Sequence, residues 1–269
     1  MNNFFKDKVV VITGGSEGIG KALVDALIPL GAKIATCGRN QDKLYNLQIQ
    51  YSNHLLHTMV ADISRYQDCV HFINSTLETY GKIDILINNA GVSMRALVKD
   101  MDVEVIKKVM DINFFGMVYC TKLALNAIIK NKGTVVGISS IAGYRGLPGR
   151  SGYSASKFAM NGWLEALRTE MIDSDVNVMW VSPGFTTSNI RNAALNNQGN
   201  SQGESPMNES DMMSAQTCAN HILNAIVKRK RTVVLTFTGK RTVFMNKFFP
   251  GWADNLVKKF FFKNGELIK

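Results

Sequence analysis

Apolar runs and amphipathic segments alternate along the first two-thirds of the chain. Six short runs rich in Val and Ile are typical of buried parallel strands, namely residues 8–13, 32–37, 54–60, 83–89, 133–139 and 176–182. Between them lie segments with helical periodicity, such as residues 19–31 and 101–130. This alternation predicts an α/β fold, a doubly wound parallel sheet of the Rossmann type with helices on both faces in three layers.

The last third of the chain departs from this alternation. Residues 184–214 are rich in Asn, Ser, Gln, Gly and Met, which predicts a long irregular loop with a functional role. A helix over 214–230 and an edge strand over 232–237 follow. We therefore predict a single domain over 1–239, with a basic, aromatic, helical C-terminal extension over 240–269.

The positive charge of the chain is concentrated in that extension and just before it. Residues 228–269 have a net charge of +9, out of +10 for the whole chain. A basic segment with interleaved Phe and Trp can lie on an anionic membrane surface, or it can pack on the protein's own body or on another subunit. Both interpretations stay open. We predict no nucleic-acid partner, because the sequence contains no recognised binding module.

The cysteine and histidine pattern bears on compartment and metal content. The four cysteines, Cys37, Cys69, Cys120 and Cys218, are widely spaced and form no C-x-x-C pair, which predicts reduced, mostly buried thiols. The histidines complete no ligand pattern with them, so no metal is predicted. With no run of 18 apolar residues and no signal-peptide pattern, we expect a cytoplasmic protein, with the extension as a candidate peripheral membrane contact.

A glycine-rich turn follows the first predicted strand and precedes a helix. Gly14, Gly18 and Gly20 permit a tight turn and a close approach of the backbone to a pyrophosphate at the helix N-terminus. Ser16 and Ile19 lie in the same turn and are predicted cofactor contacts. The position of the turn between strand and helix is the context that dinucleotide binding requires.

The end of the second predicted strand indicates which dinucleotide is bound. A carboxylate there favours NAD, whereas an arginine accommodates the 2′-phosphate of NADP. The sequence reads "ATCGRN", with Arg39 and no acid, and Ser16 could donate to the same phosphate. Glu17 would be unfavourable there unless it points away, and Arg39 could instead be a surface residue that starts a helix. We predict NADP(H), with NAD(H) as the less favoured cofactor.

Tyr153 and Lys157 are four positions apart in "GYSASKFA", which places them on one face of a helix. Such a pair is common on any half-exposed helix. The alternative is chemical: a lysine charge that favours the phenolate makes the phenol a better acid.

Six motifs occur together in order: "TGGSEGIG" (13–20), "NNAG" (88–91), Asn113 in "MDINFFG", "GISSIAG" (137–143), "YSASK" (153–157) and "SPGF" (182–185). Over about residues 8–188 the chain thus resembles the short-chain dehydrogenase/reductase superfamily. The "GRN" after the second strand and the basic, aromatic extension resemble the NADP-dependent reductases of lipid-like or steroid-like carbonyls.

The resemblance implies a catalytic set of Asn113, Ser140, Tyr153 and Lys157. Tyr153 would protonate the carbonyl oxygen as hydride arrives, and Lys157 would favour the phenolate and bind the nicotinamide ribose. Ser140, 13 residues before Tyr153, would hydrogen-bond the substrate oxygen. Asn113 would kink a helix and hold a water, or it could simply make a backbone hydrogen bond within that helix.

The resemblance also implies cofactor contacts after strands three, four and six. Asp62, beside Ile63, would accept a hydrogen bond from the adenine amino group, or it could cap a helix. The other implied contacts of the dinucleotide follow strands four and six: Asn89, Ala90, Gly91, Pro183, Gly184, Thr186 and Ser188. The Thr186 backbone and the Ser188 hydroxyl would hold the carboxamide, where the family usually has threonine at the second position.

The predicted reaction is hydride transfer between NADP(H) and a ketone or secondary alcohol with an apolar, lipid-like or steroid-like body. We expect the loop 185–214 to close over the substrate. Its candidate contacts are Met94, Arg95, Tyr144, Leu147, Phe185, Met207, Met212 and Met213. A 3-oxoacyl thioester reductase and a non-catalytic NADP-binding redox sensor stay open as alternatives. The resemblance also implies a homodimer or homotetramer.

Overall fold

A parallel sheet of seven strands forms the centre of the computed structural model, which describes residues 3–205, 207 and 212–268. The strand order is β3-β2-β1-β4-β5-β6-β7. The strands, in chain order from β1 to β7, are Val9–Thr13, Lys33–Gly38, Leu56–Val60, Ile85–Asn88, Thr134–Ile138, Asn177–Ser182 and Thr232–Val234. The six strands predicted from the apolar runs are confirmed, with ends that differ only slightly.

Helices cover both faces of the sheet, so the doubly wound prediction is confirmed. In chain order from α1 to α9 they are Gly18–Leu27, Gln41–Gln50, Tyr66–Tyr80, Val103–Met110, Gly116–Lys130, Ser151–Glu170, Ala215–Val227, Phe237–Phe248 and Pro250–Phe261. One apolar core lies between the sheet and α1 and α7, and a second lies between the sheet and α3, α5 and α6. Successive strand residues alternate between them, since Val10 and Ile12 belong to the first core and Val11 to the second.

The strand order reverses between β1 and β4, and this reversal fixes where a ligand can bind. Chain connections leave β1 in one direction toward β2 and β3, and β4 begins the other half of the sheet. The loops that leave the carboxyl ends of β1 and β4 therefore diverge to opposite faces and open a crevice between them. The glycine turn, which follows β1, and residues 89–91, which follow β4, both border this crevice.

The helix predicted over 101–130 is interrupted by a π-helical turn. Asp111–Phe115 separates α4 from α5, and Asn113 is at its centre. By length and composition this stretch, Val103–Lys130, could cross a membrane, which the apolar-run criterion had not indicated. In the structure it packs against α3 and α6, and Val109, Met117 and Cys120 on its inner face are buried.

The C-terminal extension forms a helical pair and a small hairpin. The predicted edge strand 232–237 is shorter than expected, because Thr236 has a φ of +64° and its hydroxyl accepts from Gly239 N, which starts α8 at Phe237. Helix α8 thus spans the predicted boundary at 239, and the division into domain and extension stays a prediction. After α9, strands β8 (Phe262–Lys263) and β9 (Glu266–Leu267) pair antiparallel.

Residues 184–214 are irregular, as predicted, throughout the described part. Isolated bridges fix this loop to its surroundings, Thr186 to Met213 and Leu195 to both Met94 and Ser201. Part of the loop predicted to close over the substrate, residues 206 and 208–211, lies outside the described residues.

Candidate active site

A cavity of about 1110 Å³ opens at the carboxyl ends of the strands. Most of the predicted site residues line it, namely Gly14, Ser16, Gly18, Ile19, Arg39, Asp62, Ile63, Asn89, Ala90, Gly91, Ser140, Tyr153, Lys157, Pro183, Gly184, Thr186 and Ser188. Gly20 and Asn113 do not line the cavity but contact residues that do, Gly14 and Val92 respectively. The fold therefore brings together residues separated by more than 170 positions.

The glycine turn fits a dinucleotide phosphate because it leaves the N-terminus of α1 uncovered. Gly14 and Gly18 have φ values of +70° and +55°, which side chains rarely tolerate. A Cβ on Gly20 would lie 2.1 Å from the Gly14 carbonyl oxygen. The local geometry thus favours glycine at all three positions, and Gly18 and Ile19 of the first helical turn line the cavity.

Two cations border the cavity at the end of β2. Arg39 lies there as predicted, and Lys43 lies one helical turn further, at the start of α2. Lys43 forms an ion pair with Glu17, so the acid that seemed unfavourable in this place is paired with a cation. Sequence reasoning missed Lys43, although its position four residues after Arg39 could have indicated it.

Asp62 and Asn89 have defined local partners. Asp62 Oδ1 accepts from Ser64 N at 3.0 Å and from Ser64 Oγ at 2.7 Å, and it does not cap α3, whose N-cap is Arg65. Asn89 Nδ2 donates to the carbonyl oxygens of Thr13 at 3.0 Å and Gly14 at 3.1 Å. Asn89 therefore holds the glycine turn against the end of β4.

The Tyr153 phenol and the Ser140 hydroxyl both line the cavity, and Ser140 affects the pKa of the phenol. Burial raises the pKa of Tyr153, while the Ser140 hydroxyl and the positive charge of Arg150 act against that rise. Tyr153 is on the first turn of α6, and Ser140 follows β5 as the N-cap of a short 3₁₀ turn. The end of β5 and the start of α6 thus each place one of these hydroxyls at the cavity.

Lys157 is buried below the tyrosine. Its side-chain amine donates to the Ile138 carbonyl oxygen at 2.8 Å, and burial lowers its pKa to about 8. Lys157 Nζ lies 5.7 Å from the centroid of the Tyr153 ring, over the ring face. The charge of Arg150, three residues before Tyr153, lowers the pKa of the phenol, and the sequence analysis did not single out this arginine.

Asn113 connects the π turn to the loop after β4. Its Oδ1 accepts from Val92 N at 2.8 Å, and its Nδ2 donates to Val92 O at 2.9 Å and to Ser156 Oγ at 2.9 Å. The expected irregularity of the helix is present, and the backbone partner is on another segment rather than within the same helix. The role of Asn113 in holding a water stays a prediction.

The substrate end of the cavity differs from expectation. Leu147 and Phe185 line it, whereas the other six candidates do not: Met94, Arg95, Tyr144, Met207, Met212 and Met213. The Tyr144 hydroxyl instead accepts from Trp180 Nε1 at 2.8 Å, and Met213 packs against the core beneath α7. The hydrophobic periodicity of the sequence could not predict which of these side chains would face the cavity.

The apolar wall of the cavity comes from the C-terminal extension, which the sequence analysis had treated as separate. Ten residues of α8 and α9 line the cavity, and we call the five large apolar ones the roof: Met245, Leu256, Val257, Phe260 and Phe261. The Phe260 ring stacks on Phe185 with centroids 6.1 Å apart. The α9 residues that line the cavity, from Ala253 to Phe261, recur at intervals of three and four, and this helical spacing could have predicted an apolar inner face.

Hydrogen bonds and an ion pair attach the extension to the body. Arg145 donates to Asn246 Oδ1 at 2.9 Å and pairs with Asp254 at 2.5 Å. Asn246 Nδ2 donates in turn to the Tyr144 carbonyl oxygen at 2.9 Å. The inner face of the extension therefore packs on the rest of the protein, which is one of the two interpretations that the sequence left open.

Comparisons with known proteins agree with this geometry. A family model described as "short chain dehydrogenase" matches residues 8–199. A rat protein named dehydrogenase/reductase SDR family member 7B is 36% identical over 246 residues, which cover 87% of this chain and 74% of the rat protein. A Drosophila melanogaster protein named dehydrogenase/reductase SDR family protein 7-like is 32% identical, over 87% of this chain and 74% of its own length.

Two solved structures share the fold. A short-chain dehydrogenase/reductase from Burkholderia phymatum, in complex with NAD, superposes with a TM-score of 0.81 at 21% identity, over 90% of this chain and 94% of that one. An alcohol dehydrogenase from Thermococcus sibiricus, complexed with 5-hydroxy-NADP, superposes with a TM-score of 0.75 at 22% identity, over 86% and 96%. With the matched family model and the curated relatives, the conclusion is that this chain belongs to the short-chain dehydrogenase/reductase family.

Proposed function

We propose that this protein is an NADP(H)-dependent oxidoreductase that transfers hydride between the nicotinamide and a ketone or secondary alcohol with an apolar body. The observation that supports this most directly is that Tyr153, Ser140 and Lys157 line one cavity together with the glycine turn. A proton donor for a carbonyl oxygen and a cradle for a dinucleotide phosphate thus border one space.

The chain's own residues would handle the proton and the orientation of the carbonyl. The bound nicotinamide supplies the hydride. Tyr153 would hold the proton that the carbonyl oxygen takes up, so that ketone, hydride and proton give a secondary alcohol and oxidised nicotinamide. Ser140 would orient the oxygen, and Lys157 would bind ribose hydroxyls through the donors that Ile138 does not use.

The preference for NADP(H) rests on the charges at the end of β2. Arg39 is the first charged side chain after this strand, while Lys43 at the same wall pairs with Glu17. A 2′-phosphate is favoured by the Arg39 cation, whereas a 2′-hydroxyl gains little from it. The structures of other family members with NAD and with an NADP derivative show that the fold accepts either class.

Calorimetric binding of NADPH and NADH tests this preference. We expect the wild type to bind NADPH at least about 10-fold more tightly, because a charge-assisted contact to a phosphate contributes about 1.5–3 kcal/mol. Arg39→Ala should lose most of this difference and keep its affinity for NADH. Equal binding of both cofactors by the wild type would overturn the assignment to NADP(H).

The apolar substrate class is supported by the roof. Leu256, Val257 and Phe260 cover one side of the cavity, and Phe185 and Leu147 continue this wall. A polar metabolite would leave this surface unfilled, whereas an apolar ketone would bury it. NADPH oxidation is measured by absorbance with a panel of ketones of increasing chain length. We expect kcat/KM to rise with the length of the apolar chain.

The same panel separates the alternatives. A 3-oxoacyl thioester reductase would turn over 3-oxoacyl thioesters and not simple ketones. A redox sensor would bind NADP(H) and turn over nothing, and Tyr153→Phe would leave its cofactor binding and partner binding unchanged.

The outer face of the extension leads us to propose contact with an anionic membrane. The contiguous rings of Phe244, Phe248, Phe249 and Trp252, which we call the tail surface, are all about half exposed or more. Exposed lysines, Lys247 among them, flank these rings. Exposed aromatic side chains with interleaved lysines favour the boundary of an anionic bilayer. We therefore propose a cytoplasmic enzyme that is peripheral to a membrane.

A further inference from the structure

Arg150 is a buried cation in the substrate part of the cavity. It is the N-cap residue of α6, three positions before Tyr153, and only 9% of its surface is exposed. Among the described residues its guanidinium pairs with no carboxylate, and its Nε has no hydrogen-bond partner. The guanidinium lies over the ring of Phe261, with the ring centroid 5.8 Å from Arg150 Cζ.

Two further arginines add positive charge around Arg150. Arg191 also lines the cavity and donates to the Thr186 carbonyl oxygen at 3.1 Å. Arg95 donates to the Leu267 carbonyl oxygen at 3.3 Å, and its Nε has no partner either. The charges of both act on Arg150 and, with burial, lower its pKa. A buried cation among like charges is unfavourable unless an anion joins it.

The anion that would join it is not the cofactor phosphate. The pyrophosphate site at the glycine turn and the 2′-phosphate site at Arg39 both lie where β1 and β2 end. Arg150 instead borders Tyr153 on one side and the roof residue Phe261 on the other. An anion here would lie between the reacting carbonyl and the apolar wall.

We propose that Arg150 binds an anionic group of the substrate, a phosphate monoester or a carboxylate, close to the carbonyl that Tyr153 protonates. This inference rests on the proposed function and narrows it: the substrate is an amphiphilic ketone with an anionic group near the reacting carbon and an apolar chain under the roof. The planar guanidinium fork matches the oxygen geometry of either anion.

Binding of three matched small amphiphiles tests this site without any turnover. The probes are hexyl phosphate, hexanoate and hexanol, titrated by calorimetry into the protein with and without NADP⁺. We expect one or both anions to bind roughly 10- to 100-fold more tightly than hexanol, because the neutral alcohol cannot form a hydrogen bond between opposite charges with Arg150. A preference for hexyl phosphate identifies a phosphate site, and a preference for hexanoate identifies a carboxylate site.

Variants assign the effect to Arg150. Arg150→Gln should remove the preference for the anion, Arg150→Lys should keep part of it, and Lys228→Gln, which removes an exposed charge at the end of α7, should leave it unchanged. Equal affinity of the wild type for all three probes would overturn the site. So would an anion preference that survives in Arg150→Gln, provided that NADPH binding shows the variant to be folded.

Kinetics separate failure of this inference from failure of the proposed function. Matched 2-ketones with and without a terminal phosphate or carboxylate are compared in the NADPH assay. We expect Arg150→Gln to raise KM for the anionic ketone roughly 10-fold or more, with little change in KM for the neutral one. An equal loss of kcat on both, with KM unchanged, would show that Arg150 acts only on Tyr153. Absence of turnover with every ketone refutes the proposed function, while the calorimetric result still decides the anion site.

Discussion

The acidity of Tyr153 depends on three neighbours that act in different directions. Burial alone would raise the pKa of the phenol and make it a poor acid near neutrality. The Ser140 hydroxyl and the Arg150 charge oppose this rise, and the Lys157 cation lies over the ring rather than beside the hydroxyl. At the scale of single residues, the pKa of the proposed proton donor is therefore adjusted by Ser140 and by a cation three positions away.

Tyr153→Phe removes the proposed proton donor and little else. We expect kcat to fall about 10²- to 10⁴-fold, because the ring still fills its place but no proton is held at the carbonyl oxygen. NADPH affinity should change less than about threefold, which calorimetry measures. Ser140→Ala is the companion variant, expected to lower kcat and raise the pKa of the phenol. Full turnover by Tyr153→Phe would contradict the assigned role.

The pH dependence of stability tests the state of Lys157. Its pKa is about 8 in the fold and about 10.5 when unfolded, so the unfolded chain binds more protons between these values. The cost of burying the cation is therefore complete below pH 8 and declines as the pH rises toward 10.5. Lys157→Met avoids this cost, which by the shift is about 3 kcal/mol at most. Urea unfolding should show the stability of Lys157→Met relative to wild type decreasing from pH 7 to pH 10, and a constant difference would refute the lowered pKa.

At the scale of elements, close backbone contacts hold the site. The turn between β1 and α1 leaves no room for a Cβ at Gly20, whose nearest neighbours are the Gly14 carbonyl oxygen and Asn89 Nδ2. The π turn between α4 and α5 is fixed by the two hydrogen bonds between Asn113 and the Val92 backbone. The first contact holds α1 against the loop after β1, and the second holds the π turn against the loop after β4. Together they fix the two sides of the crevice.

Gly20→Ala and Gly162→Ala form a matched pair. The Cβ at position 20 would lie 2.1 Å from the Gly14 carbonyl oxygen, so the turn must open and NADPH affinity should fall by at least about tenfold. Gly162 is exposed on α6 with nothing within 4 Å of its Cβ position, so Gly162→Ala should stabilise the protein by about 0.5–1 kcal/mol. Calorimetry and urea unfolding measure the two effects. Unchanged NADPH affinity in Gly20→Ala would refute the proposed turn geometry.

Asn113→Ala tests the bond between the π turn and the loop after β4. It leaves the buried Val92 N–H and carbonyl oxygen without their partner, and we expect the free energy of unfolding to fall by about 2–4 kcal/mol. Ser156→Ala removes only one contact of the same amide and should cost about 1 kcal/mol. Equal, small losses in urea unfolding would show that Asn113 does not hold this loop.

For the whole molecule, the C-terminal extension has two faces with different neighbours. Its inner face forms the roof of the cavity, and its outer face presents the tail surface to solvent. A substrate that enters from a membrane would thus cross from lipid to cavity along one pair of helices. This arrangement agrees with the amphiphilic substrate inferred from Arg150.

Vesicle co-sedimentation tests the tail surface. We expect binding to vesicles rich in phosphatidylserine, weaker binding to phosphatidylcholine, and loss of binding at high salt. The double substitution Phe248→Ser with Trp252→Ser should weaken binding about tenfold or more, because two exposed rings no longer insert. Tyr45→Ser, which removes a similarly exposed ring on α2, is the control. Equal sedimentation of all three proteins, or none with any vesicle, would refute the membrane contact.

The sequence by itself determined the doubly wound sheet, because continuous Val- and Ile-rich runs indicate buried parallel strands and the segments of period 3.6 between them indicate helices. It also determined the glycine turn and the Tyr153–Lys157 spacing, since both lie within a few residues along the chain. The tertiary structure decided that Arg150 lies beside the phenol as a further cation, that Lys43 pairs with Glu17, and that α9 roofs the cavity. These are contacts whose distance and direction depend on how helices pack, and no pattern in a single segment encodes that packing.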